Sequence, residues 1–289
     1  MFLLVLAPAL FVVIWSTGWI VAKYAAPYAD PLTFLAIRFA LAAAVIALLA
    51  WATGAPWPPD RRTRIHAAIS GVLLHAIYLG GVWWAISQGL PAGVSALIAA
   101  VQPLLTAALA RTMGEKLLPI NLAGIVIGFA GVLGVIAPKL GGVSVAGLSG
   151  LGLAVAINVG SMFAVTAGTY YQKHFVASGD LRTTTVLQYI GACLAVLPFA
   201  ILLEPMRFEM RLETWAAMAW SVVVLSIGAI GLMLLMIRRG AVSRVAALIY
   251  LIPPTAALQA YAMFGETLTP MQGVFMAIAA FGVFLATRR

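Results

Sequence analysis

The sequence predicts an all-α integral membrane protein, with ten transmembrane helices arranged as two inverted five-helix repeats. Three observations point there. Of the 289 residues, 64% are apolar and 9% charged, against roughly 45–50% and about 25% in soluble domains. Ten apolar segments reach the ~20 residues needed to cross a ~30 Å hydrocarbon layer. The Pro, Gly-Glu, Lys and Asp punctuation of the first half returns in the second.

The segments follow in order. Span 1 (2–22) has no basic residue ahead of its apolar run. That run exceeds the ~7–15 residues of a signal-peptide core, so a retained helix is expected. Span 2 (31–51) follows "YAAPYADP", and span 3 (65–87) follows "TGAPWPPDRRTR". Spans 4 (92–112) and 5 (117–137) are set off by "SQGLPAG" and "TMGEKLL". "PKLGGVSVAG" leads into span 6 (149–171), and "SGDLRT" into span 7 (181–203). Span 8 (212–236) precedes spans 9 (241–263) and 10 (268–287), which "GETLTP" separates. Such Gly, Pro and Asp clusters mark helix ends, and no loop has room for a soluble domain.

The net charge of +9 forms no stripe or tail of the kind that binds nucleic acid. It reads instead as a topology signal. Arg61, Arg62, Arg64, Arg111, Lys116, Lys173, Arg182, Arg238, Arg239, Arg244, Arg288 and Arg289 fall on one side, and Lys23, Lys139, Arg207 and Arg211 on the other. Cytoplasmic loops carry the excess of Lys and Arg, so both termini are expected in the cytoplasm. Cys193 is the single cysteine, which leaves no intrachain disulfide and no Cys-based metal site.

The repeat is concentrated in "GLPAGVSALIAAVQPLLTAALARTMGEKLLP" (89–119) and "GAVSRVAALIYLIPPTAALQAYAMFGETLTP" (240–270). At an offset of 151, Gly89 meets Gly240, Pro103 meets Pro254, Gly114–Glu115 meets Gly265–Glu266, Pro119 meets Pro270 and Gly131 meets Gly282. At 150, Gly18 meets Gly168, Lys23 Lys173, Asp30 Asp180 and Thr33 Thr183. Residues 1–140 are expected to form one repeat, with spans 1–5, and residues 141–289 the other, with spans 6–10. Five spans is an odd number, so the second repeat must enter the membrane in the opposite sense. Inverted repeats around a mid-membrane site mark secondary transporters.

These motifs, given twice, resemble the drug/metabolite transporter superfamily, EamA family, across nearly the whole chain. Within it the chain is most similar to the bacterial aromatic amino-acid exporters of the YddG type. The resemblance implies a ten-helix basket with a central substrate cavity in the bacterial inner membrane. It also implies a small-molecule substrate exported by alternating access. The bilayer is the other expected partner, nucleic acid is not one, and a monomer is taken as the working unit.

Candidate substrate contacts come from polar and aromatic residues inside spans. In span 3, His75 and Tyr78 share a helical face with Val82 and Ile86, and Trp83 sits on its edge. They read either as a cavity wall or as packing between helices. Gly80–Gly81 would admit a neighbouring helix. Trp15 and Trp19 lie one turn apart in span 1, where an interfacial role is the alternative. Asn158 and Met162 share a face of span 6, and the amide either binds substrate or clamps helices. Gln102 with Pro103, and Tyr250 with Pro254, mark spans 4 and 9, where proline frees carbonyls. For Pro103 and Pro254 themselves, helix kinking is the plainer reading. Arg38 is the one charged residue well inside a span, about 10 Å past Pro31. It either snorkels to the surface or takes a substrate or gating role. Its repeat partner is Gln188.

All eight carboxylates lie in loops or at helix ends. The small multidrug-resistance relatives carry a glutamate in their first span, and this chain has none, which argues against proton-driven export of cations. Glu115 and Glu266 read as turn residues. No phosphate loop, HExxH pair or GxSxG elbow is present in the sequence, so neither an enzyme nor a bound cofactor or metal is expected. The expected activity is facilitated export of small neutral or zwitterionic metabolites, amino acids first and aromatic ones favoured. The alternatives are exchange of nucleotide sugars or phosphorylated metabolites, and proton-coupled efflux through His75.

Overall fold

A computed structural model describes residues 2–90, 95, 98–99, 101–102, 104–106, 109, 118–140, 152–176, 179–229, 231–233, 236, 248, 251–264 and 269–286. Helices occupy the predicted spans there. They are Phe2–Ala25 (span 1), Pro31–Ala52 (span 2), Arg61–Ser87 (span 3), Pro119–Leu140 (span 5), Gly152–Phe175 (span 6) and Leu181–Leu203 (span 7). Span 8 runs as an α-helix over Leu212–Ala219 and as a π-helix over Trp220–Ala229. Ile252–Phe264 is the second half of span 9, and Pro270–Ala286 is span 10. No strand occurs among the described residues, and one isolated bridge joins Ala29 to Phe208. Much of span 4 and the first half of span 9 lie outside the described residues, as do Glu115 and Glu266.

The chain divides into two compact units. One comprises Met1–Ile20, Leu90–Gly152 and Ala229–Arg289, and the other Val21–Gly89 and Leu153–Gly228. Each unit therefore draws helices from both sequence repeats.

In the unit of spans 1, 4, 5, 9 and 10, spans 5 and 10 pack antiparallel along their lengths. Gly124 lies against Ala286, Gly131 against Ala279 and Gly134 against the ring of Phe275. Small residues let two backbones meet where lipid supplies no hydrophobic drive. At the 151 offset Gly131 corresponds to Gly282 and Gly128 to Ala279. The contacts Gly131–Ala279 and Gly128–Gly282 are thus images of each other, the mark of a local two-fold axis.

The unit of spans 2, 3, 6, 7 and 8 repeats the arrangement with larger side chains. Spans 2 and 7, again repeat partners, lie antiparallel. Phe39 and Tyr189, which correspond at the 150 offset, stack on each other with centroids 5.8 Å apart and planes 25° off parallel. Two antiparallel pairs of repeat partners are what an inverted repeat requires.

Polar ties hold both ends of the span 2–span 7 pair. At one end the Glu204 carboxylate accepts hydrogen bonds from the Leu32 and Thr33 N–H groups, each at 2.8 Å, and from the Thr33 hydroxyl at 2.9 Å. It caps span 2 from across the fold, satisfying N–H groups that no preceding turn can reach. Asp30 accepts from the Arg207 backbone N–H at 2.7 Å. At the other end Arg182 pairs with Asp180 at 2.7 Å and donates to the Thr53 hydroxyl, while the Thr183 hydroxyl donates to the Pro56 carbonyl. Asp60 caps span 3, and the Thr63 N–H, then its hydroxyl, hold that carboxyl below the usual carboxylate range. The contribution of that cap is present above the ordinary range and fades as pH falls through the lowered value.

Span 3 corrects one expectation. Its winding is π-helical over Val72–Ile77, so a face drawn at 100° per residue does not continue through it. His75, Tyr78 and Val82 are buried as expected, but Ile86 is only half-buried, and Trp83 is buried rather than at an edge. Gly81 lies against Ser161 of span 6, whose hydroxyl donates to the Ile77 carbonyl at 3.2 Å as well as to Ile157 in its own helix.

Two predictions follow from these contacts. Gly131→Ala and Gly282→Ala place a methyl against backbone that cannot yield, and each should destabilise by about 1–3 kcal/mol. Gly273→Ala meets open space and should be neutral or stabilising, all three read by thermal unfolding in detergent. Glu204→Ala should cost about 1–3 kcal/mol by leaving the span 2 donors without their carboxylate, an effect that loss of the Glu209 carboxylate, also half-buried, should not reproduce.

Candidate functional site

A helix in hydrocarbon satisfies its backbone internally, so polar side chains inside it need partners from other helices. In the unit of spans 2, 3, 6, 7 and 8, these side chains converge. Arg38 is buried, with 5% of its surface exposed, so it does not snorkel. Its Nε donates to the Ser226 hydroxyl of span 8 at 3.1 Å. The Tyr189 hydroxyl donates to the Ser226 backbone carbonyl at 3.2 Å. The ring of His75 stacks on Tyr189, centroids 4.8 Å apart and 21° from parallel, and tilts against Phe39 at 6.0 Å. His75 is buried, and its Nε2 has no hydrogen-bond partner among the described residues.

Two π-helical segments place these groups. His75 lies in the π-turns of span 3 and Ser226 in those of span 8. Such segments interrupt the i→i−4 ladder and often occur at functional positions. The repeat partner of Arg38 is placed by the same logic. Gln188 is buried and donates from Nε2 to the Ser70 hydroxyl of span 3 at 3.0 Å, and its backbone is the surface on which Gly71 rests. Arg38 reaches a serine of span 8, and Gln188 a serine of span 3. Residues 38 and 188 correspond at the 150 offset, but the two serines do not, and only residue 38 carries charge. No carboxylate among the described residues forms an ion pair with Arg38.

The remaining candidates of this unit are placed as follows. Tyr78 is buried in span 3. Trp83 stacks on Phe34 of span 2 at 5.4 Å, and Phe34 continues to Phe208 and Trp215, which makes Trp83 part of a packing column. Asn158 and Met162 are buried together on span 6. In the other unit, Trp15 packs with Phe11 in a cluster with Ala7, Val12 and Met236. Trp19 buries its indole Nε1 without a described partner, and Gln102 is buried in span 4. Pro254 is buried and follows Pro253 in the first turn of Ile252–Phe264, where a missing N–H goes unused. Pro103 and Tyr250 lie outside the described residues.

Sequence reasoning named Arg38, His75 and Gln188 and missed Phe39, Tyr189 and Ser226. A signal for two of them was available: residue 39 maps onto 189 at the same offset that pairs 38 with 188. Ser226 carried none, because a lone serine in an apolar run has no periodicity of its own.

Comparison with known proteins places the chain. The inner membrane transporter YedA of Escherichia coli (strain K12) is 27% identical over 99% of this chain and 91% of its own length. A probable amino-acid metabolite efflux pump of Salmonella typhimurium is 27% identical, covering 91% of this chain and 87% of its own. A solved crystal structure shares the fold with a TM-score of 0.80 at 21% identity, covering 98% of this chain and 95% of its own. The profile of the EamA-like transporter family matches twice, over residues 2–137 and 151–288. The chain is a transporter, and it belongs to the EamA-like transporter family.

Proposed function

We propose that this transporter exports small neutral or zwitterionic metabolites, amino acids first among them and aromatic ones favoured. The observation that carries the reading is the buried cluster of Phe39, His75, Tyr189 and Arg38. Flat rings stack on an aromatic solute and attract its ammonium through their π faces, and one guanidinium matches one carboxylate. The likeness to a protein named as a probable amino-acid metabolite efflux pump supports the same class. The sequence repeats at 1–140 and 141–289 are the two halves whose exchange opens the site to each side, with both termini in the cytoplasm and the monomer as the unit. Export runs down the solute gradient, which needs no titrating group inside a span.

Phosphorylated solutes suit the cluster less well. Arg38 is the one Lys or Arg that is buried among the described residues, and a doubly charged phosphate calls for more than one such partner.

The test is counterflow in proteoliposomes preloaded with one unlabelled amino acid. Labelled phenylalanine should accumulate with the wild type and with Trp84→Ala, and fall about tenfold or more with His75→Ala. Absence of counterflow with every amino acid, in folded protein, would remove the substrate assignment. An imposed proton gradient should leave the exchange rate unchanged. Gradient-driven accumulation that disappears in His75→Ala would replace facilitated export with proton coupling.

A further inference from the structure

Arg38 poses a problem of charge that no carboxylate among the described residues solves. A cation at mid-helix in a bilayer costs about 2.5–3.5 kcal/mol or more, and a buried charge is ordinarily paired. Here the described partner of Arg38 is a neutral hydroxyl, Ser226 Oγ. A second, independent orphan lies in the same cluster. His75 Nε2 is buried without a partner among the described residues, on a ring stacked against Tyr189, whose own hydroxyl is bound to Ser226. The matching position in the other repeat shows what a purely structural contact needs. Gln188 satisfies Ser70 with a neutral amide, so a guanidinium is not required to tie a span to its serine.

We infer that the Arg38–His75–Ser226 cluster is a subsite for a carboxylate, supplied by the transported solute. This rests on the reading above and names the group by which the solute is recognised. Arg38 carries the charge and the planar donor fork that suits two carboxylate oxygens. His75 adds a donor whenever its proton sits on Nε2. Tyr189 and Phe39 wall the cluster with rings, and the two π-helical segments that carry His75 and Ser226 lie on spans 3 and 8. A solute lacking the carboxylate would leave Arg38 buried and uncompensated, so discrimination against amides and amines is built into the cluster.

The experiment uses the full chain purified in detergent and follows thermal unfolding during titration with sodium acetate, acetamide, and sodium chloride at matched ionic strength. Acetate should raise the wild-type midpoint saturably, and acetamide and chloride should not. Arg38→Gln installs the residue that the second repeat carries at the matching position, so it is expected to fold. Its half-saturating acetate concentration should rise about tenfold or more, and its midpoint without acetate should stay level or rise, because an unpaired buried charge is gone. Arg38→Lys, which keeps charge but loses the fork, should weaken the response without abolishing it. Equal responses to acetate and acetamide, equal responses to acetate and chloride, or a full acetate response in Arg38→Gln would each overturn the subsite. Counterflow of phenylalanine against phenylalaninamide separates the two readings. An acetate response without amino-acid counterflow would remove the amino-acid assignment and leave a carboxylate subsite for another acid.

Discussion

With no water in the hydrocarbon layer, each helix of this chain closes its own backbone hydrogen bonds and meets its neighbours through whatever its side chains permit. The antiparallel meeting of repeat partners is the contact on which the rest is arranged. Spans 5 and 10 approach through Gly124, Gly131 and Gly282, so closely that a methyl added at any of them would strike backbone, that of Gly128 in the case of Gly282. Spans 2 and 7 meet instead through the stacked rings of Phe39 and Tyr189. The same symmetry thus makes one contact out of small residues and another out of large ones. The buried Arg38 and Gln188 belong to the second pair. Span 3 and span 8 fill the flanks of that pair, and both depart from α-winding where they do so.

The ends of the pair explain why the charged residues of this unit stay at its margins. Glu204, Asp30 and Arg207 serve one end, and Asp180, Arg182 and Asp60 the other. The Glu204, Asp60 and Asp180 carboxylates meet backbone N–H groups at helix starts, where the dipole favours negative charge, and Asp30 takes the Arg207 N–H of a loop. Arg38 is the exception, and its isolation gives it chemical meaning. Among the described residues no carboxylate pairs with it, and its hydrogen-bond partner there is the neutral Ser226 hydroxyl.

Hydropathy and loop punctuation were enough to find the spans, because a bilayer demands long apolar runs whatever their packing. The odd span count and the offset matches foretold the antiparallel partners, and Arg38 with Gln188 was legible as a polar pair for the same reason. The details of the cluster were not. The π-turns of span 3 come from tertiary contacts, such as the Ser161 hydroxyl on the Ile77 carbonyl, and no local pattern encodes them. That winding moved Ile86 off the expected face and Trp83 onto Phe34. Tyr189 and Ser226 look like ordinary residues of apolar helices until the fold sets a histidine and an arginine beside them.

The stacking of Phe39 on its own repeat counterpart also bears on how such a protein can change over evolutionary time. Were the two halves separate copies of one gene product, any residue near the axis would be present twice, and a guanidinium at position 38 would bring a second one with it. Joined in one chain, the halves mutate independently, and the sequence holds arginine at 38 and glutamine at 188. Fusion is what allows a single positive charge beside a symmetric contact, and with it a polarity that two identical halves could not have.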